Sequence, residues 1–321
     1  MLRLHDGGRR RKGLLALGGH RDYKAASVAL PNSGRTAPMN ILSIQSRVAY
    51  GHVGNAAAVF PLQRLGHDVW PIDTTMLSNH LGYKQWGGRM LSAAEVGAVL
   101  DGLAGLGVLA RCDGVLSGFI GEPATGALIA EAVTRLKAAN PKALNACDPV
   151  IGYRDGLYVQ PGVLAIFKER LLPQADVALP NFYELGWLTD ASLATRADVL
   201  AAIAALRRAG PKLVVATGIQ HAGLAEGEIE TIAADGDGAW SVVTPFLPGA
   251  PTAGTGDCFA ALFFGHYLPR RDLVSALSRA ASATFAIIEQ TQAAGREELT
   301  IVAAQDHLDQ PKPRFPARLL G

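Results

Sequence analysis

Gly254-Thr255-Gly256-Asp257, followed by Cys258-Phe-Ala-Ala261, joins a backbone turn to a carboxylate. Two glycines permit a tight turn with positive φ. The apolar stretch behind them predicts a helix, whose first amides lack intrahelical acceptors and whose dipole favours an anion. An aspartate would repel a bare phosphate there. It makes sense if it takes a proton from a hydroxyl that attacks phosphorus, while the amides of Ala253 to Gly256 receive the migrating charge. The same pattern is also ordinary helix-capping chemistry, and the turn alone does not separate the two. Asp148 and Glu184 each follow a predicted strand and are placed to position hydrated Mg2+ on nucleotide phosphates. Either one by itself also reads as a cap or a solvated charge.

The elements that must hold these residues alternate in type. Strands are predicted at 41–44, 69–72, 114–117, 143–147, 176–179 and 213–216, and helices at 55–65, 93–106, 125–139, 199–208, 257–267 and 273–290. Pro71 marks its strand as an edge or bulge. Residues 229–234 and 240–243 predict a hairpin around Asp235-Gly-Asp-Gly238. Such alternation implies βαβ units on a mostly parallel sheet: an α/β, three-layer αβα sandwich. Ligands of these sheets sit beyond the carboxyl ends of the strands. The residues there are Ser46, Asn79-His80, Ser117-Gly118, Asp148, Asn181 to Glu184, Thr217-Gly218 and Gly254 to Asp257.

Composition excludes several classes. With 321 residues, 49% of them hydrophobic, the chain is too apolar for wholesale disorder and long enough for a substantial core. No apolar run is long enough to span a membrane. The net charge of +2 is uneven: residues 1–38 hold eight Arg or Lys against two Asp, leaving the remainder at −4. A body of that sign has no broad attraction for nucleic acid. Residues 1–38 read as a disordered basic leader, or as sequence upstream of a start at Met39, with 39–321 as one domain. Three well-separated cysteines and no CxxC suit a reduced cytoplasmic location. Cys112 and Cys147 are expected in the core and Cys258 to pack inward, while His52 and His67 read as loop or surface residues. Tyr50 and Trp86 fit either a cover over a ligand or simple packing. There is no GxxxxGK[ST], GxSxG or HExxH, which disfavours P-loop, α/β-hydrolase and zincin chemistry.

Taken together these segments resemble the ribokinase-like superfamily and, within it, the pyridoxal kinases. Gly254-Thr-Gly-Asp257 is similar to the superfamily's anion-hole and base motif, and Asn181-Phe-Tyr-Glu184 to its Asn-x-x-Glu motif. The narrower likeness lies in Ser43-Ile-Gln-Ser-Arg-Val-Ala-Tyr-Gly-His-Val-Gly-Asn55, Phe60 to Gln63, Leu77 to Tyr83, Leu116 to Phe119 and Cys147 to Val150. The resemblance implies ATP-dependent phosphorylation of the 5′-hydroxymethyl group of pyridoxal and related vitamers, by a homodimer. It places Asp257 as base, with Gly254, Thr255 and Gly256 as the anion cradle. Ser46, Val53, His80 and Tyr83 fall on the substrate side. Asp148, Glu184, Thr217, Gly218, Thr244, Leu247 and Thr255 fall on the nucleotide side, Asp148 and Glu184 toward Mg2+. It leaves a monovalent cation such as K+ open.

Two departures stand out. Family members often carry Thr after the Ser-Asn-His segment, where this chain has Leu81-Gly82, and Gly249-Ala-Pro-Thr252 differs in composition. The first removes a hydroxyl from the ring side and bears on vitamer preference; the second bears on nucleotide or monovalent-ion behaviour. The rival readings are a hydroxymethylpyrimidine or sugar kinase of the same fold, a non-catalytic vitamin B6 binding protein, and an interaction role for the basic leader.

Overall fold

In β1 (Asn40–Gln45) side chains alternate between two helical layers: Ile41 enters one core, Leu42 and Ile44 the other. The structure is a computed structural model and describes residues 37–308 and 313–321. The expected leader lies outside the described residues except for its last two positions. After β1 come α1 (Asn55–Arg64), β2 (Asp68–Asp73), β3 (Thr75–Leu77), β4 (Gly88–Met90), α2 (Ala93–Gly105), β5 (Gly114–Ser117), α3 (Pro123–Ala139) and β6 (Leu144–Cys147). Next are β7 (Gly152–Tyr153), β8 (Gly156–Leu157), α4 (Val163–Ile166), β9 (Val177–Ala178), α5 (Phe182–Thr189), α6 (Arg196–Arg208) and β10 (Leu213–Ile219). The chain continues through β11 (Glu228–Ala234), β12 (Ala239–Pro245), α7 (Thr255–Arg270), α8 (Leu273–Ala293) and β13 (Arg318–Leu319).

Among the described residues nine strands form one sheet in the order β13-β12-β11-β10-β9-β6-β5-β1-β2. From β2 to β10 every pairing is parallel; β11, β12 and β13 add antiparallel. β2 pairs within this sheet only with β1, so Pro71 occupies an edge strand, where its missing N–H costs no ladder bond. The hairpin expected around Asp235 to Gly238 is β11–β12, with Ala234 opposite Ala239. Because Ala234 also lies opposite Val214 near the start of β10, that turn sits at the end of the sheet away from the parallel strands' carboxyl ends.

α1, α7 and α8 cover one face through residues such as Ala57, Phe263 and Ala280. α2, α3, α5 and α6 cover the other through Leu100, Ile129, Leu185 and Ile203. Full burial of side chains of this size stabilises by roughly 1.5–3 kcal/mol each. The chain leaves β1 for one face through α1 and leaves β2 for the opposite face through α2. The strand order therefore reverses at β1, which opens a crevice beyond the ends of β1 and β5. The structure adds elements the sequence does not announce: the small β3–β4 and β7–β8 hairpins, α4, α5 and β13.

Candidate active site

Ser46 follows β1 and is buried, and its carbonyl accepts the Asn55 amide at 2.7 Å. The turn from Gly51 to Gly54 folds back over it. Gly54 has φ 54°, and a Cβ there would meet the Ser46 carbonyl oxygen at 2.2 Å, so only glycine fits. Below, a buried polar chain fixes the end of β1. Gln45 Nε2 donates to Ser43 Oγ, which donates to Asn55 Oδ1, and Asn55 Nδ2 donates to Asp73 Oδ1 at 2.8 Å. Val53 is half-buried just before Gly54.

The second turn docks onto the first. Gly254, φ 78°, caps α7 and lies so close to the His52 carbonyl that a Cβ would fall 1.7 Å from its oxygen. This brings Asp257, in the first turn of α7, to the glycine turn, where the Gly54 amide donates to its carboxylate. Burial raises the Asp257 pKa, and the Gly54 amide and its own amide oppose that rise. Asp257 is half-buried as a residue. Gly256 is exposed beside it. Thr255 turns both its amide and its hydroxyl to the Thr252 carbonyl, at 3.2 and 2.7 Å, which locks the turn.

Asp148, buried just beyond β6, is raised well above an ordinary aspartate, first by burial and then by the charges of Glu184 and Asp257. Glu184 is pushed up to about 8 by burial, with Asp257 adding to the rise and the amides of Asn181, Ile151 and Gly152 opposing it. Asn181-Phe-Tyr-Glu184 is a capping box on α5: Asn181 Oδ1 accepts the Tyr183 and Glu184 amides, and Glu184 Oε2 accepts the Asn181 amide at 2.8 Å. Ile151 donates to Oε1 at 3.0 Å. Capping and site geometry are thus one arrangement, since the box is what aims Glu184 toward Asp148. Tyr158, beyond β8, keeps 51% of its surface in solvent, yet the charges of Glu184, Asp257 and Asp148 add to the rise that burial gives its phenol.

The influences on these three carboxylates are burial, one another and main-chain amides; no Lys or Arg is among them. Like charges left without a cation fit a divalent ion. Among the described residues no group of three His, Cys, Asp or Glu side chains is arranged to hold a metal ion alone. That donor set suits Mg2+, which keeps several waters and shares its shell with phosphate.

Of the residues expected on the nucleotide side, Thr217 donates its amide to Pro180 O at 3.0 Å, which ties the later part of β10 to the start of α5. Gly218, φ 68°, sits where the β10–β11 register shifts. Thr244 lies on β12 opposite Ile229, and half-buried Leu247 begins the segment that leads to Gly254. Among the described residues no hydrogen bond or ion pair joins Thr244 or Leu247 to the acid cluster.

His80 and Tyr83 lie on a flap, residues 78–87, between β3 and β4, with their rings 4.7 Å apart. Both reach Glu298, a residue the sequence reading passed over. Tyr83 donates its hydroxyl to Oε1 at 2.7 Å, and His80 Nε2 lies 3.3 Å from the same oxygen. The Tyr83 phenol is pushed up to about 12, chiefly by that bond. Tyr50 touches Tyr83 edge-on at 6.3 Å beside the flap, and Trp86 is exposed on the flap itself. His52 contributes through its backbone. His67 is buried, not on the surface, because Nε2 bonds the Gly265 carbonyl at 2.9 Å. All three cysteines are buried thiols.

Pyridoxal kinase PdxY of Rubrobacter xylanophilus is 48% identical over 282 residues, covering 87% of this chain and 97% of the relative. The chain belongs to the pyridoxal kinase family. The PdxY pyridoxal kinase of Deinococcus radiodurans is 45% identical, covering 88% and 97%. A family model described as phosphomethylpyrimidine kinase matches residues 109–301. Among solved structures, pyridoxal kinase from Leishmania donovani in complex with ADP and pyridoxamine has a TM-score of 0.83 at 29% identity, covering 88% and 99%. Family membership agrees with the mostly parallel αβα fold. No helix among the described residues is long and apolar enough to cross a membrane.

Proposed function

We propose that the chain transfers the γ-phosphoryl group of ATP to the 5′-hydroxymethyl group of pyridoxal, giving pyridoxal 5′-phosphate and ADP. The observation that carries this is Asp257: a half-buried carboxylate at the start of α7, held by the Gly54 amide against the wall that ends in Ser46. Asp257 takes the proton from the substrate hydroxyl. The substrate's own hydroxyl oxygen then bonds to the γ-phosphorus as the bond to the β-phosphate oxygen breaks, and ADP leaves. The amides of Gly254 and Gly256, at the positive end of α7, face the charge on the transferring group. Asp148 and Glu184 would hold Mg2+ through its waters, and the ion supplies charge neutralisation on the phosphates. Ser46, Val53, His80 and Tyr83 bind the pyridine side; Thr217, Gly218, Thr244 and Leu247 border the nucleotide.

The Leishmania donovani kinase, at 29–30% identity, holds ADP with pyridoxamine or alone, which supports a shared cleft for both reactants. The matching family model is described as phosphomethylpyrimidine kinase, which makes a pyrimidine such as hydroxymethylpyrimidine the alternative substrate to test. The test is ADP release measured side by side with pyridoxal, pyridoxine, pyridoxamine and hydroxymethylpyrimidine. The highest kcat/KM is expected with a B6 vitamer; preference for hydroxymethylpyrimidine overturns the assignment, and binding without ADP release leaves only a carrier. Omitting Mg2+ abolishes turnover on this reading, and exchanging Na+ for K+ measures any monovalent dependence. A cytoplasmic homodimer belongs to the same proposal, and sedimentation of the pure protein measures the assembly.

A further inference from the structure

Glu298 stands at a junction that the chemistry of transfer does not require. Its carboxylate is only 7% exposed and bonds three separate places. Oε1 accepts the Tyr83 hydroxyl at 2.7 Å and lies 3.3 Å from His80 Nε2; Oε2 accepts the His52 amide at 3.1 Å. The Gly82 amide donates to His80 Nδ1 at 3.1 Å, so Nε2 bears the hydrogen that faces Glu298. The glycine turn is shaped to admit this carboxylate: a Cβ on Gly51, φ 92°, would fall 2.3 Å from Oε2.

The carboxylate sits on a fixed post. Thr291, fully buried on α8, accepts the Thr300 amide at 3.0 Å through its hydroxyl and the Arg296 amide at 3.1 Å through its carbonyl. Leu299 and Ile301 are buried in the first core. The flap tip has no such support. Leu81, Gly82, Lys84 and Trp86 are exposed, and the bonds from Asn79 to Gln85 O and from Gly87 to Ser78 Oγ stay within the flap; at its base Ser78 O accepts the Tyr50 amide at 2.8 Å, and the Tyr50 ring touches Tyr83 edge-on. The tip is thus tied by Glu298 to the turn whose Gly54 amide holds Asp257.

We propose that Glu298 is a positioning residue, a latch that fastens the 78–87 flap to the glycine turn and sets how tightly the vitamer site closes. This rests on the kinase reading above, because it takes the flap to cover a B6 ring. The latch acts on one substrate: its partners are on the flap and the glycine turn, while Thr217, Gly218 and Thr244 on β10 and β12 make no bond to it. Loss of charge-assisted hydrogen bonds of this kind lowers affinity by roughly tenfold or more.

The test pairs kinetics with amide exchange. Glu298→Ala is expected to raise KM for pyridoxal at least about tenfold and leave KM for ATP within about twofold. Glu298→Gln keeps one carbonyl acceptor and restores part of the loss. Tyr83→Phe raises the same KM in the wild-type background and adds little in Glu298→Gln. Equal increases in both KM values, or Tyr83→Phe and Glu298→Gln effects that multiply independently, overturn the latch. Amide exchange of the ligand-free protein decides the matter even if pyridoxal is not the substrate. Residues 78–87 exchange faster in Glu298→Gln than in wild type while β10 to β12 are unchanged; an unchanged flap rules the proposal out. Absence of wild-type turnover with pyridoxal, alongside a loosened flap in the variant, would instead fault the substrate assignment and leave the latch standing.

Discussion

Asp257 shares its surroundings with two other carboxylates, and that company decides how each behaves. Asp257→Asn keeps the shape of the turn and removes the proposed proton acceptor. It is expected to bind ATP and pyridoxal normally and to lose about 10²–10⁴-fold in kcat; near-normal kcat in steady-state assays would take the base role from Asp257. The raised pKa values of Asp148, Glu184 and Asp257 also bear on stability. An acid with a raised value in the folded state holds a proton that the unfolded chain releases. Folding stability therefore declines as pH climbs from the ordinary carboxylate range to about 8, where Glu184 titrates. Asp148→Asn relieves that repulsion. Its ligand-free melting temperature gains more over wild type at pH 9 than at pH 5, by about 1–2 °C for each kcal/mol relieved; equal gains at both would refute it. Of the residues in the cleft, Asp257 was legible because its turn and helix are contiguous. Glu298 was not: it stands 246 residues from His52 and 215 from Tyr83, with nothing in its local sequence to mark it.

At the scale of elements, the two glycine turns work as one interlocked pair. Gly254→Ala forces a Cβ into the His52 carbonyl and places a side chain at positive φ. It is expected to cost about 1–3 kcal/mol in urea unfolding and to lower kcat by shifting Asp257. Asn181→Ala removes the cap of α5, worth about 1 kcal/mol, and frees the Glu184 amide it accepts. Its activity should fall further than that stability loss explains if the box aims Glu184, and comparison of unfolding with kcat checks this. Long apolar strands and amphipathic helices were readable from period alone, as with β1, β5, α6 and α8. The flap hairpin was not, because β3 and β4 have three residues each and their pairing is set by the loop between them. α5 was hidden for a different reason: its first residues read as site chemistry, and the cap and the chemistry use the same side chains.

For the whole molecule, every residue assigned to the cleft lies between Ser46 and Glu298, and the two cores that support it are built from residues 41–308. A chain trimmed to begin at Met39 is expected to retain the full-length kcat/KM; a clear loss would give the leader a part in the reaction. The order of strands and helices foretold the sheet, whereas the layer each helix joins was settled only by the tertiary packing. The opposite end of the sheet has a use of its own. The Asp235 to Gly238 turn lies there, and Asp237 is exposed. Cys112, Cys147 and Cys258 are buried, and burial pushes the Cys147 and Cys258 thiols up to about 12 and Cys112 to about 11. Asp237→Cys would therefore take a maleimide dye or a surface linker almost exclusively, leaving the enzyme anchored by its base with its mouth turned to the solution.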